Sequence, residues 1–358
     1  MEMPFSLMDM GWNSFFESQL SKDDSQNFTI ARVAVEYKNH YLVYSGNAEL
    51  EAEPSGKLLY SASARSELPK VGDWVLITPY DSGKAVIQLV LKRKTCLSRK
   101  VAGNAHQEQV IAANLDLLFI VQSLDYDFSI NRLERYLAIV EGDIKPVIIL
   151  NKADLCTDIE TKAAEVKSRL PHVRLLTMCA LSGSIADIEA YFTNNETAGF
   201  VGSSGAGKTT LINRLAGIQL PTGEVRSSDS KGRHTTTNRQ LVRLTGGGIL
   251  IDTPGMRELQ LWTSGSLTES AFPEIEELAR HCRFRDCNHT GDDGCAILQA
   301  IDQKQLRPEQ YRNYIKIRRE QDYARTLRDR QFEQSRKKEI KKVHRWINQM
   351  KRNQRPPE

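Results

Sequence analysis

The chain has 358 residues, 40% of them hydrophobic and 26% charged, with a formal net charge of +4; that is enough for two or three domains, each with its own core. No apolar run approaches the roughly 20 residues of a membrane helix, and six cysteines in a chain of this size do not make a disulfide scaffold. Residues 1–53 carry nine acidic and three basic residues, whereas 301–358 carry 18 basic and eight acidic ones, an asymmetry that points to a nucleic-acid partner for the basic end.

Residues 1–27 form a polar N-terminal extension with scattered aromatics, in which "MGWNSFF" could be a short docking helix. It has no Lys or Arg before Lys22, so no secretory signal is expected and the expected compartment is the cytoplasm. Residues 28–95 read as about five short strands: "TIARVAVEYKNHYLVYSG" (two of them), "KLLYSASAR", "GDWVLITPY" and "KAVIQLVLKRK". They are rich in Val, Ile, Leu and Tyr and punctuated by Gly, Pro, Asn and Asp. Five strands in so short a stretch suit a small barrel of the OB-fold kind better than a sandwich.

From 105 to 265 buried apolar runs alternate with helical ones. "LDLLFIVQSL", "KPVIILNK", "VRLLTMCAL", "AGFVGSSG" and "GILIDTPG" each end in a polar or glycine-rich loop, and "SINRLERYLAIVEG", "IETKAAEVKSRL" and "KTTLINRLAG" supply helices between them. This is the pattern of an α/β parallel sheet whose ligands sit at the carboxyl ends of its strands. Residues 268–358 hold few β-branched runs, a Cys/His cluster and a long helical pattern from about 308 to 350.

The chemistry starts at "GSSGAGKTT", Gly202, Ser203, Ser204, Gly205, Ala206, Gly207, Lys208, Thr209 and Thr210. It matches the phosphate-binding P-loop in full. Glycines let the backbone wrap tightly enough to aim its N–H groups at phosphate oxygens. Lys208 would reach the terminal phosphates, the Thr209 hydroxyl would bind Mg²⁺, and the following helix would point its positive end at the same anion.

"NKAD" comprises Asn151, Lys152, Ala153 and Asp154 at the end of an apolar run. Asp154 can accept from the ring N–H and the exocyclic amine of guanine, a pairing that adenine cannot offer. Asn151 would bond the base and hold neighbouring loops, and the stem of Lys152 would cover one base face. Cys179 and Ala180 sit where a further loop would back the guanine. "DTPG" supplies Asp252 near Mg²⁺ and Gly255 near the γ-phosphate, and "GRHTTT" at 232–237 supplies switch-loop hydroxyls, Thr236 among them. GTP and GDP are the expected ligands. In an ordinary GTPase the phosphate loop precedes the base loop; here it follows by about fifty residues, so the domain is read as circularly permuted, which joined termini make physically tolerable.

With this loop order between a candidate barrel and a Cys/His cluster, the chain resembles the RsgA (YjeQ/YloQ) family of circularly permuted GTPases that mature the small ribosomal subunit. The resemblance covers roughly residues 28–300. It implies an OB-fold at 28–95, a permuted P-loop GTPase domain at 105–265 and a zinc-binding helical domain with a basic tail at 268–358. It implies a slow GTPase stimulated by the small ribosomal subunit, in contact with ribosomal RNA. A monomer is expected. Family members usually have Ser-Ala where this chain has Cys179-Ala180; the backbone N–H of Ala180 would make the contact, so little loss is expected.

Cys282, Cys287, His289 and Cys295 stand at C-x4-C-x-H-x5-C spacing. Three thiolates and an imidazole close a tetrahedral shell around a structural Zn²⁺ and leave no open position; the spacing also matches the family. His281 could substitute, but the spacing favours His289. Many GTPases position the attacking water with a Gln after the switch II glycine. Met256 occupies that place and cannot. His234 is the nearest residue in sequence able to order a water or accept a proton, and the family motif has its catalytic candidate there; the alternative is a structural or RNA-facing His234. The competing reading is a GTP-dependent signalling switch whose flanks bind protein and whose basic tail is merely a solvated helix.

Overall fold

The computed structural model describes residues 6–320 apart from 39, 47, 102–103, 141, 218–239, 245 and 253–270, together with 322 and 326. Five strands close the N-terminal barrel: β1 (Thr29–Glu36), β2 (Tyr41–Ser45), β3 (Glu49–Pro54), β4 (Trp74–Asp81) and β5 (Lys84–Val90). Their order is β1-β2-β3-β5-β4, and β4 returns to pair with β1. All pairings are antiparallel except β3 with β5. Alternate side chains such as Ala31, Val33, Val43, Val75, Ile77 and Ile87 fill the interior, as the period of two requires. This is the OB-like barrel expected.

One strand expectation fails. Residues 57–65 are not a strand; Gly56–Ser61 is a helix whose N-cap Ser55 side chain accepts the Leu58 N–H. Leu58 packs against the barrel while Tyr60 is 94% exposed. The strand belongs instead to "ELEAEP", where Leu50 and Ala52 point in and Glu49, Glu51 and Glu53 point out. Its alternation was the signal, masked by residues poor in β-propensity.

The aromatic N-terminal segment docks as its composition suggested. A short helix, Ser14–Glu17, buries Phe16 beside Trp12 and Trp74, with the Trp12 and Trp74 rings 4.8 Å apart and edge-on. Arg32, fully buried, donates to the Met10 carbonyl, to Gly72 O at 3.2 Å and to Thr197 Oγ1 at 2.9 Å. Burial pulls its guanidinium down to about 10, still protonated near neutral pH. One cation thus joins the extension, the barrel and the central sheet.

A hairpin of β6 (Cys96–Val101) and β7 (Asn104–Ala113) leads into that sheet. Its strands are β8 (Leu117–Ser123), β9 (Lys145–Asn151), β10 (Arg174–Thr177), β11 (Thr197–Gly202), β12 (Gln240–Arg243) and β13 (Ile249–Asp252). The spatial order is β10-β9-β8-β11-β13-β12, parallel throughout except for β12. The apolar runs of β8, β9, β11 and β13 are buried on both faces, as interior parallel strands demand, whereas edge strand β10 is half-buried to exposed. At Val35↔Gln240 barrel strand β1 pairs with β12, so barrel and sheet are continuous.

The C-terminal helices Pro273–Arg280, Ala296–Asp302 and 308–320 share a core with the central region. Phe272, Ile275, Ile297, Tyr314 and Ile317 are buried in one cluster with Leu133, Tyr136 and Leu137 of the helix Ile130–Leu137. Inside this contact lies a polar network. Fully buried Glu134 accepts from Arg169 Nε at 2.9 Å and from the Asn313 amide, while Arg169 also donates to Asn131 Oδ1 at 3.0 Å. Each buried charge therefore has its partner. The expected helix continues through 320, and 322 and 326 are helical too; the other residues of the basic tail lie outside the described residues.

Candidate functional site

In the central sheet, β8 leads outward to β9 and β10, whereas β11 leads to β13 on the opposite side. Where connections diverge in this way, the loops beyond the carboxyl ends leave a crevice suited to a ligand. The P-loop leaves β11 there, NKAD leaves β9, and residues 123–129 leave β8. The strand bearing NKAD precedes the P-loop strand in sequence, yet β8 separates the two in space. That is the rearranged order that the motifs implied.

The P-loop backbone takes conformations that only glycine adopts easily. Gly202 has φ +148°, and an added Cβ would lie 2.1 Å from Val121 O. Gly207, at φ +97°, would place a Cβ 2.1 Å from Asn151 Nδ2. Ala206 is buried, Ser204 and Gly205 are exposed, and Ser203, Lys208, Thr209 and Thr210 are half-buried. Lys208 Nζ donates to Gly202 O at 2.9 Å and Ser203 O at 2.6 Å, folding its ammonium over the loop. The helix Lys208–Ala216 begins directly behind it, so its unpaired N–H groups face the crevice.

Asn151 ties three loops together. Its Nδ2 donates to Ala206 O at 2.8 Å and its Oδ1 accepts the Ala180 N–H at 2.7 Å. The Ala180 N–H, expected to face the base, thus supports the base loop in this structure. A buried amide oxygen needs a donor, and this is the nearest. Lys152 holds a left-handed φ of +61°. Ala153 and Asp154 follow in a 3-10 turn, with Asp154 exposed. Half-buried Cys179 receives a hydrogen bond from Ser182 Oγ at 3.3 Å.

Other parts of the site were not read in the sequence. Arg214, on the P-loop helix, donates to Ala180 O at 2.9 Å and Gly183 O at 2.7 Å and fastens the 180 loop to the P-loop. Asp125, beyond β8, accepts from Lys152 Nζ at 2.9 Å. Both contacts join residues far apart in sequence, so no local pattern marks them.

On the metal side, Thr209 stands in the first turn of the P-loop helix and Asp252 ends β13. Burial pushes the Asp252 carboxyl above its ordinary range, and a neighbouring cation would oppose that shift. A hydroxyl and a carboxylate are oxygen donors of the kind that Mg²⁺ takes. Thr236, His234 and Gly255 lie outside the described residues.

The Cys/His cluster folds between Pro273–Arg280 and Ala296–Asp302. Cys282, Cys287, His289 and Cys295 bring their ligand atoms within 4.8 Å of one another. His289 Nδ1 is 3.5 Å from the Cys282 sulfur and 3.6 Å from that of Cys295, and the two sulfurs are 4.0 Å apart. Tetrahedral zinc bonds would set sulfur–sulfur and sulfur–nitrogen separations of about 3.8 and about 3.6 Å. Burial holds the His289 imidazole below its ordinary pKa, which favours the neutral form that a metal ligand needs. His281 Nδ1 instead faces Glu277 O at 2.9 Å. The four residues fit a structural zinc ion, and the Tyr311 hydroxyl anchors the cluster by donating to His289 O.

A family model described as RsgA GTPase matches residues 90–262, and one described as 50S ribosome-binding GTPase matches 197–356, from the P-loop strand onward. The chain is 42% identical over 332 residues to the small ribosomal subunit biogenesis GTPase RsgA of Opitutus terrae, covering 89% of this chain and 90% of that one. It is also 42% identical to small ribosomal subunit biogenesis GTPase RsgA 2 of Vibrio parahaemolyticus, covering 88% and 86% of the two chains. The crystal structure of YjeQ from Thermotoga maritima superposes with a TM-score of 0.62 at 23% identity, covering 81% of this chain and 97% of that one. YloQ, described as a circularly permuted GTPase, gives 0.60 at 23% identity over 85% and 96%. These two structures match the fold.

Proposed function

The chain belongs to the RsgA GTPase family, and we propose that it binds the small ribosomal subunit and hydrolyses GTP during that subunit's late maturation. The observation that carries the reading is the convergence of P-loop and NKAD through Asn151, which donates to Ala206 O and accepts from Ala180 N–H, in a chain whose near-full-length relatives bear that activity in their names. The match to a 50S ribosome-binding model covers only the P-loop strand onward, so the near-full-length relatives decide the subunit.

In this reading Asp154 accepts from guanine's two donors, Asn151 bonds the base, the Lys152 stem covers its face, and Ala153, Cys179 and Ala180 complete the wall. Gly202 to Thr210 cradle the phosphates, with Lys208 at their terminal end. Thr209 and Asp252 hold Mg²⁺, which shields the phosphate charge when bound, and Thr236 and Gly255 contact the γ-phosphate side. His234 takes the water-ordering role that Met256 cannot fill. Cys282, Cys287, His289 and Cys295 hold one Zn²⁺, whose part is to fold the segment between two helices.

The barrel, the zinc segment and the basic C-terminal end would contact ribosomal RNA, with the protein acting as a monomer in the cytoplasm. No helix among the described residues is long and apolar enough to cross a membrane. The test is GTP turnover by the purified protein with and without small subunits. Stimulation by small subunits and not by large ones is expected; no stimulation would overturn the assignment in favour of a subunit-independent switch.

A further inference from the structure

Beside the base loop lies an ion pair that none of the motifs contains. Lys152 occupies the left-handed region, a strained conformation for a residue with a Cβ that persists only where its surroundings impose it. Its ammonium runs to the loop after β8, where Asp125 Oδ2 accepts at 2.9 Å. The other oxygen, Oδ1, accepts from Ser123 Oγ at 2.8 Å and from the Asp127 N–H at 3.0 Å. Three donors thus set the plane of the carboxylate, and the Asp125 side chain is only 15% exposed.

The two loops are brought together by the sheet. Ser123 and Asn151 are the last register pair of β8 and β9, and the Leu124 N–H donates to Asn151 O at 2.9 Å one step beyond. Lys162, on the helix Ile159–Arg169, adds a second tie: its ammonium donates to Leu124 O at 3.2 Å and lies 5.5 Å from the centre of the Phe128 ring. The loop 123–129 is therefore fastened both to the NKAD segment and to the helix that follows it.

We infer that Asp125 is a positioning residue for guanine recognition, which it serves by fixing the direction of the Lys152 stem. The inference rests on the assignment of NKAD as the base-reading loop. Without the carboxylate, the Lys152 ammonium has no fixed anchor, and its stem no longer lies along one course beside Asp154. The carboxylate acts only through Lys152 and touches no nucleotide atom. Its loss should therefore weaken GDP and IDP alike, since a face contact is indifferent to the exocyclic amine that Asp154 reads.

The experiment is a double-mutant cycle on the full chain, with the dissociation constant of GDP in Mg²⁺ read by titration calorimetry. Asp125→Ala should weaken GDP roughly fivefold, the size of a partly buried, charge-assisted pair. In a Lys152→Met background the same substitution should change affinity by less than about twofold, because coupled residues are not additive. Asp125→Asn retains acceptors for Ser123 and Asp127 but loses the charge, and should weaken GDP as Ala does even where Ala disturbs the loop. Equal losses in both backgrounds, or wild-type affinity in Asp125→Asn, would overturn the inference. Asp154→Asn separates this from the underlying assignment: it should abolish tight GDP binding and favour xanthosine diphosphate. If it does so while both Asp125 variants bind normally, the base reading stands and the role of Asp125 falls; if it leaves GDP binding intact, the base reading itself falls.

Discussion

Gly207 and Asn151 stand so close that a methyl group at 207 would lie 2.1 Å from the Asn151 amide nitrogen. The contact crosses from the phosphate loop to the base loop, and the same amide already bridges Ala206 and Ala180. A single atom at one position therefore disturbs both halves of the site. Gly207→Ala adds left-handed backbone strain and displaces a buried amide with two hydrogen bonds, together about 3 kcal/mol. Nucleotide affinity should fall by about 10²-fold while far-ultraviolet circular dichroism stays native. Affinity within threefold of wild type would mean that the two loops are not rigidly coupled.

His234 carries the hydrolysis proposal. His234→Ala should lower subunit-stimulated GTP turnover by roughly 10²-fold, the usual size for a lost water-ordering or acid–base group. GDP affinity should survive. An unaltered stimulated rate returns His234 to a structural role.

The zinc segment concerns folding. Cys287→Ser removes one of four converging ligands, so the protein should purify with less than one zinc per chain by metal analysis. Protease cleavage should appear within residues 280–300, while GDP binding persists. Zinc-free wild-type protein prepared without chelator would end the claim.

The buried pair of Glu134 and Arg169 supports the contact between the sheet's helices and the C-terminal helix. Arg169→Ala leaves Glu134 without its cation in a site from which water is excluded, at a cost of about 3–5 kcal/mol. Asn313→Ala removes one hydrogen bond to the carboxylate and should cost about 1.5–3 kcal/mol. Urea denaturation should rank them in that order. Equal small losses would mean that water reaches the network.

The basic tail is tested by salt. Residues 331–358 contain nine Lys or Arg and three acidic residues. Deleting them should weaken binding to small subunits and flatten the log–log salt dependence by about two to five units, at somewhat under one unit per lost phosphate contact. Unchanged affinity and slope would leave RNA contact to the barrel and zinc segment.

The sequence alone determined the parts whose chemistry is local. A P-loop, an NKAD turn and a Cys/His knuckle work through neighbouring backbone and side-chain atoms, so residue types at fixed spacing suffice to reveal them. The apolar runs of β8, β9 and β11 were equally legible, because strands buried on both faces must be apolar. The strand at 57–65 was misread, and β3, β12 and the β6–β7 hairpin were missed, because polar strands are specified mainly by their partners. Tertiary structure alone decided which distant residues meet: Asp125 with Lys152, Arg214 with Ala180, Glu134 with Arg169, Val35 with Gln240. Each of these pairs is separated by at least 27 positions, and such a contact exists only once chain packing has overcome the entropy of closing the loop between its ends.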